Sequence, residues 1–344
     1  MDYIAYVKAC LMSFSIGLVI IYAMRKIAFR WGILDIPKGV LKNHKQPVPY
    51  LGGLAVYLTI VFNLFWHFSD SLDNYIFLIW ILLGITGVLL VGLYDDLYAM
   101  KPVQKFVGQF FCIPFILYSA SFYKTIFLSH MLGYLFSFFF IISLINAFNL
   151  IDVMDGLATM VALTSVSSFF CIALYQGKYG FALLLSVVIG SLTSFLWWNK
   201  PAARIYLGDA GALLYGVMIA PIPFFLSWNH TTTWGLIAPL AIVAIPLFEV
   251  TCLILVRLSL SLSPYEGSPH HFCHFLLKKK WSKNNILCWT AAHGTAHSVW
   301  GFLLMEGHIS TTIFFMGVLF FLIEWVVVVY DRFLCLFKKP CLSW

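Results

Sequence analysis

Five aspartates fall in three compact clusters beside apolar runs of membrane length: Asp95 with Asp96, Asp152 with Asp155, and Asp209. An ionised side chain within hydrocarbon costs roughly 2.5–3.5 kcal/mol on insertion scales unless water or a cation answers it. A chain that is 62% hydrophobic and only 10% charged does not need such groups merely to span a bilayer. The clusters therefore mark a polar, metal-binding type of site at a membrane surface.

Each cluster suggests its own chemistry. Asp95 and Asp96, in Gly92-Leu-Tyr-Asp-Asp-Leu, end an apolar run. Carboxylates at a helix C-terminus oppose the macrodipole, so a cation is expected nearby. Adjacent helical residues diverge by about 100°, which lets the two serve different partners. Lys105 follows within reach as a phosphate contact. Alone, the pair could simply mark the membrane boundary.

Asn146, Asn149, Asp152 and Asp155 recur every three residues and predict one polar stripe on a helix. Amides and carboxylates in such a row can bind ribose hydroxyls, a base edge or hydrated Mg²⁺. Gly156, just beyond, suits a sharp turn or a close ligand approach. The third cluster is Asn199 with Arg204-Ile-Tyr-Leu-Gly208-Asp209-Ala-Gly211, where flanking glycines would let backbone approach a ligand and Asp209 hold a hard cation. Lys42, His44 and Lys45, ahead of Pro47, Pro49, Gly52 and Gly53, offer positive donors and glycine amides to a phosphate. His270, His271 and His274 form a further cluster, suited to diphosphate; zinc with Cys273 would lack a clear fourth ligand.

The elements that must position these residues follow from composition. The chain has 344 residues, 18% of them aromatic, and a mean hydropathy of +0.92. Those values define an all-α polytopic membrane protein, one integral-membrane domain over 1–344. Runs of about 20 apolar residues give eleven candidate spans near 3–24, 51–68, 75–94, 107–122, 131–148, 158–176, 179–198, 211–228, 234–256, 285–305 and 310–330. The net charge of +7 is dispersed over short loops, which points to anionic lipid headgroups and a phosphorylated substrate and away from nucleic acid. Eight cysteines without a C-x-x-C pair read as reduced thiols.

Of the 21 Lys and Arg, all but Lys8, Lys124 and Lys178 fall in loops after odd-numbered runs or in the tail. The positive-inside rule then sets the N-terminus outside and the C-terminus in the cytoplasm. All the acidic clusters and the histidines come to that same cytoplasmic face.

In this order, the motifs resemble the polyprenyl-phosphate N-acetylhexosamine-1-phosphate transferases, an integral-membrane family. The resemblance covers about 38–283, with further helices over about 284–330 and a tail at 331–344. It implies transfer of HexNAc-1-phosphate, GlcNAc-1-phosphate foremost, from a UDP-sugar to undecaprenyl or another polyprenyl phosphate, with Mg²⁺ (or Mn²⁺) as cofactor in the inner membrane. Asp95 and Asp96 match the family's Asp-Asp pair, and Asp209 its acidic Mg²⁺ ligand. Asn149, Asp152 and Asp155 match a segment near the nucleotide sugar and metal, so that Asp209, Asp152 and Asp155 form the expected metal set. Lys42, Lys105 and Asn199 fall on the nucleotide and phosphate side, and His271 and His274 on the His-rich loop; His44 is kept as a substrate-binding candidate from the loop reading alone. A homodimer is compatible with this reading.

The chain departs from the pattern in three places. Gly208-Asp-Ala-Gly-Ala212 replaces Gly-Asp-Ser-Gly-Ser, His271-Phe-Cys-His274-Phe275 lacks the arginine of one subgroup, and Glu249 stands where Asp is commoner. The triple histidine of the peptidoglycan branch is not matched, which sets phospho-MurNAc-pentapeptide transfer second. A cation-coupled transporter or an inactive relative are the remaining alternatives; a transporter should place its acids near mid-membrane, whereas most here lie near run ends.

Overall fold

The computed structural model describes residues 3–36, 47–68, 76–122, 130–228, 233–263, 270–306, 314–315 and 317–319. Lys42 and His44 lie outside the described residues, as does most of the eleventh expected span. The chain forms two compact units, Met1–Ser227 and Trp228–Trp344.

The first unit is a helical bundle: α1 (Tyr3–Trp31), α2 (Gly52–Phe68), α3 (Ile76–Tyr98), α4 (Pro102–Ser121), α5 (Met131–Ile151), α6 (Leu157–Tyr175), α7 (Tyr179–Asn199) and α8 (Gly208–Ile219). A 3₁₀ turn, Ile222–Phe225, extends α8. Two short strands, β1 (Leu34–Asp35) and β2 (Val48–Pro49), pair antiparallel beyond α1. Helix α8 is the core of the unit, with every residue from Ala210 to Ile219 buried against α2, α3, α5 and α6. Its small residues permit this. A side chain on Gly53 would overlap the Gly211 backbone, and one on Gly92 would overlap Ala210, so two helices reach the α8 backbone directly.

Among the described residues seven helices are long and apolar enough to cross a membrane, or eight if one bent pair counts as a span. The expected count of eleven is not confirmed among the described residues. Helix α2 has 17 residues, short of a full span. The run at 234–256 is broken. In the second unit α9 (Thr233–Ile242) and α10 (Ala244–Ser259) meet at 76°. Pro246 lacks an N–H, and its ring clashes with the carbonyl four residues earlier, so one continuous helix is denied there. The second unit also holds α11 (Phe272–Lys278) and α12 (Lys283–Glu306). Helix α12 packs on α9, where a side chain at Gly301 would meet Ile242 and Ala238.

Candidate active site

Four helix ends meet in the first unit. Asp95 and Asp96 lie in the last turn of α3, Lys105 in the first turn of α4, Asn149 in the last turn of α5 and Asp209 in the first turn of α8. Pro102 starts α4 where its missing N–H costs no hydrogen bond, and the Gln104 side chain accepts the Lys101 N–H at 2.9 Å. That rigid start aims Lys105 at the acids.

Lys105 Nζ pairs with Asp95 Oδ2 and donates to Asp209 Oδ2 at 2.7 Å. Asn149 Nδ2 donates to the other Asp209 oxygen at 2.9 Å. Asp95 also accepts the Met100 backbone N–H, just beyond its own helix. The cation expected beside the α3 carboxylates is thus Lys105.

Asp96 turns the other way, as adjacent helical residues do. Its two oxygens accept the backbone N–H groups of Asp209 at 2.8 Å and Ala210 at 3.1 Å. It therefore caps α8 from outside, at the end where the dipole favours an anion. Gly208 makes this approach feasible: its φ is +74°, and a Cβ there would meet Asp96 Oδ2 at 2.6 Å.

The polar stripe expected along one helix is interrupted. Helix α5 ends at Ile151, and Asp152 has non-helical backbone angles (φ −78°, ψ 59°). Only Asn146 and Asn149 share the helical face, and Asn146 donates to Gln109 Oε1 at 2.8 Å. Asp152 instead lies in the α5–α6 turn, where burial pushes its carboxyl up to about 8, reinforced by the charges of Asp209, Asp96 and Asp155. Burial likewise pushes the Tyr206 phenol up to about 12, with the charges of Asp155 and Asp35 adding to it.

Asn199 is 3% exposed, and both ends of its amide are engaged within the chain. Its oxygen accepts the Gly156 N–H and its nitrogen donates to the Ile205 carbonyl, each at 2.9 Å. It ties the α5–α6 turn to the α7–α8 loop. Gly156, at φ +79°, takes the sharp turn. The glycines that open α2 differ from expectation: the Gly52 and Gly53 amides donate to Tyr206 and Leu207 carbonyls at 3.1 and 2.9 Å and are not open to a phosphate.

In the second unit His271 precedes α11, its Nδ1 3.4 Å from Glu249 Oε1, while the Phe272 N–H donates to the same carboxylate at 3.2 Å. The His271 and His274 rings stand 5.9 Å apart. Gln109 was not anticipated. It is fully buried one helical turn beyond Lys105, and that i, i+4 spacing was the signal available for it.

Among the described residues no three His, Cys, Asp or Glu side chains are already arranged around one cation position. The donor chemistry nonetheless fits a hard divalent ion. Asp95, Asp152 and Asp209 supply carboxylate oxygens, one ammonium faces Asp95 and Asp209, and Asp152 is raised chiefly by burial, with the charges of Asp209, Asp96 and Asp155 adding to it.

Acids, an amide and a lysine gathered at one end of a membrane-length helical bundle accompany a match to the glycosyl transferase family 4 model over residues 78–227. A Bacillus subtilis relative, named as a probable undecaprenyl-phosphate N-acetylglucosaminyl 1-phosphate transferase, is 27% identical over 74% of this chain and 72% of its own length. The undecaprenyl-phosphate alpha-N-acetylglucosaminyl 1-phosphate transferase of Escherichia coli K12 is 26% identical over 75% and 72% respectively. A phospho-N-acetylmuramoyl-pentapeptide-transferase of Streptococcus pneumoniae is 29% identical over 56% of this chain and 64% of its own.

Proposed function

We propose that the protein transfers N-acetylhexosamine-1-phosphate, with GlcNAc the first choice, from a UDP-sugar to undecaprenyl phosphate, releasing UMP. The observation that carries this reading is the convergence of Asp95 and Asp209 on Lys105, with Asp96 and Asp152 beside them, at the ends of membrane-length helices. Both GlcNAc-1-phosphate transferase relatives align over about three-quarters of the chain, against 56% for the pentapeptide transferase. That difference favours the smaller sugar donor.

In the reaction, an oxygen of the lipid phosphate attacks the phosphorus attached to the sugar. The bond from that phosphorus to the bridging oxygen breaks, and UMP leaves with the electron pair. Lys105 turns from its carboxylate partners to the incoming phosphates and holds them in line. Asn149 keeps Asp209 in one rotamer. The lipid phosphate is largely dianionic at neutral pH, with a second pKa of about 6, so Asp95 positions it and takes any remaining proton. Mg²⁺ held by Asp209, Asp152 and Asp155 would neutralise the diphosphate and stabilise charge on UMP.

The dispersed basic residues support an inner-membrane orientation with the N-terminus outside and the site on the cytoplasmic face. UMP release by purified protein from UDP-GlcNAc, undecaprenyl phosphate and Mg²⁺ tests the reading. Asp209→Asn should abolish release while leaving the protein in the membrane. Absence of release from wild type, or cation flux in proteoliposomes without turnover, would replace it with the transporter reading.

A further inference from the structure

Where α1 and α7 end, three cations crowd together. Lys26 Nζ lies 4.5 Å from the centre of the Tyr22 ring, Tyr22 stands 6.4 Å from Trp198, and the Arg204 guanidinium is 5.8 Å from Trp198. Arg25 closes the circuit: its Nε donates to the Arg204 carbonyl at 3.2 Å, and its guanidinium lies 5.1 Å from Phe29. Lys200 adds a fourth cation, 4.0 Å from Trp197. Among the described residues no carboxylate forms an ion pair with any of the four.

Gathered like charges repel, and aromatic faces answer only part of that repulsion. Helix C-termini attract cations, which accounts for Lys200 at the end of α7 but not for Arg25 and Lys26, which precede the last turn of α1, nor for Arg204, which lies in the α7–α8 loop. The partner that satisfies all of them is a shared anion.

The surroundings identify its class. Trp197, Tyr22 and Phe29 are 56%, 45% and 44% exposed beside these cations, toward the ends of two membrane-length helices. Amphipathic rings settle at headgroup depth. Guanidinium forks bind phosphate oxygens in pairs. We infer that this corner is a binding site for an anionic phospholipid, with Arg25, Lys26 and Arg204 on the headgroup phosphate and the exposed rings against the glycerol and upper acyl region. The inference needs only the membrane-spanning reading of α1 and α7, not the transfer reaction.

The test is lipid retention. Wild type and an Arg25→Gln, Lys26→Gln, Arg204→Gln variant are placed in nanodiscs of phosphatidylcholine containing a minority of phosphatidylglycerol, and retained lipids are counted by native mass spectrometry. Wild type should retain phosphatidylglycerol preferentially, and the variant on the order of tenfold less, with phosphatidylcholine unchanged. Lys26→Gln alone removes an exposed ammonium that makes no hydrogen bond to described residues, and should lower retention severalfold even if the triple variant folds poorly. Equal phosphatidylglycerol retention by wild type and Lys26→Gln would overturn the inference. So would displacement of the lipid by excess inorganic phosphate, which would mark a free-phosphate site.

Discussion

Asp96 and Asp209 are joined backbone to side chain: the Asp96 carboxylate accepts the Asp209 N–H at 2.8 Å, so the end of α3 fixes the first turn of α8. The two acids thus have unequal duties. Asp209 presents its side chain to Lys105 and Asn149, whereas Asp96 holds the turn on which Asp209 stands.

Asp96→Ala should therefore lower thermal stability in detergent as well as activity. Two hydrogen bonds to a charged acceptor are lost, on the order of 1.5–3 kcal/mol in all. Asp96→Asn keeps one acceptor and should recover part of the stability but little of the turnover. Equal melting of the alanine variant and wild type would show that α8 does not depend on this cap.

Lys105→Met leaves Asp95 and Asp209 facing each other without their shared ammonium. Turnover should fall by at least about a hundredfold, as for loss of one preorganised charge contact in a transition state. Melting in chelator should drop, and added Mg²⁺ should restore stability without restoring turnover. An Asp95→Asn, Lys105→Met double variant should be more stable than Lys105→Met alone, because one unpaired charge is gone.

Asn199→Ala should reduce both stability and kcat although the residue contacts no expected reacting atom. Its amide joins Gly156 to Ile205, and leaving those buried groups unpaired costs about 1–3 kcal/mol for each. A variant with lowered kcat and unchanged KM for both substrates would agree with loop positioning. A KM effect confined to the UDP-sugar would instead make Asn199 a direct ligand.

Asp152 gives a pH signature. Its folded value of about 8 lies above the ordinary 3.8. Between those values the unfolded chain releases a proton that the folded protein keeps, so stability is greatest below about pH 4 on this account and declines as pH rises toward 8. Above that the loss levels off. Melting temperatures measured without divalent cations should fall from pH 5 to 8 in wild type by a few degrees, and Asp152→Asn should flatten the decline.

Much of this arrangement was legible in the sequence. Carboxylates beside apolar runs required a cation, but Lys105 was read from the sequence as a phosphate contact, not as the partner of both acids that the structure makes it. Long-range partners were less visible, because spacing along one segment does not reveal what faces it. The Asn146–Asp155 stripe ignored the helix ending at Ile151. The glycines around Asp209 were expected to meet a ligand. Gly211 instead accommodates Gly53 of α2, and Gly208 makes room for Asp96 of α3. Counting apolar residues also treated 234–256 as one rod, although Pro246 stands near its middle and the chain turns there.

The Lys105 ammonium between Asp95 and Asp209 offsets part of the charge those two carboxylates bring together. A ligand bringing anionic oxygens of its own would compete with both carboxylates for that lysine. A neutral sugar would carry no charge with which to enter that competition.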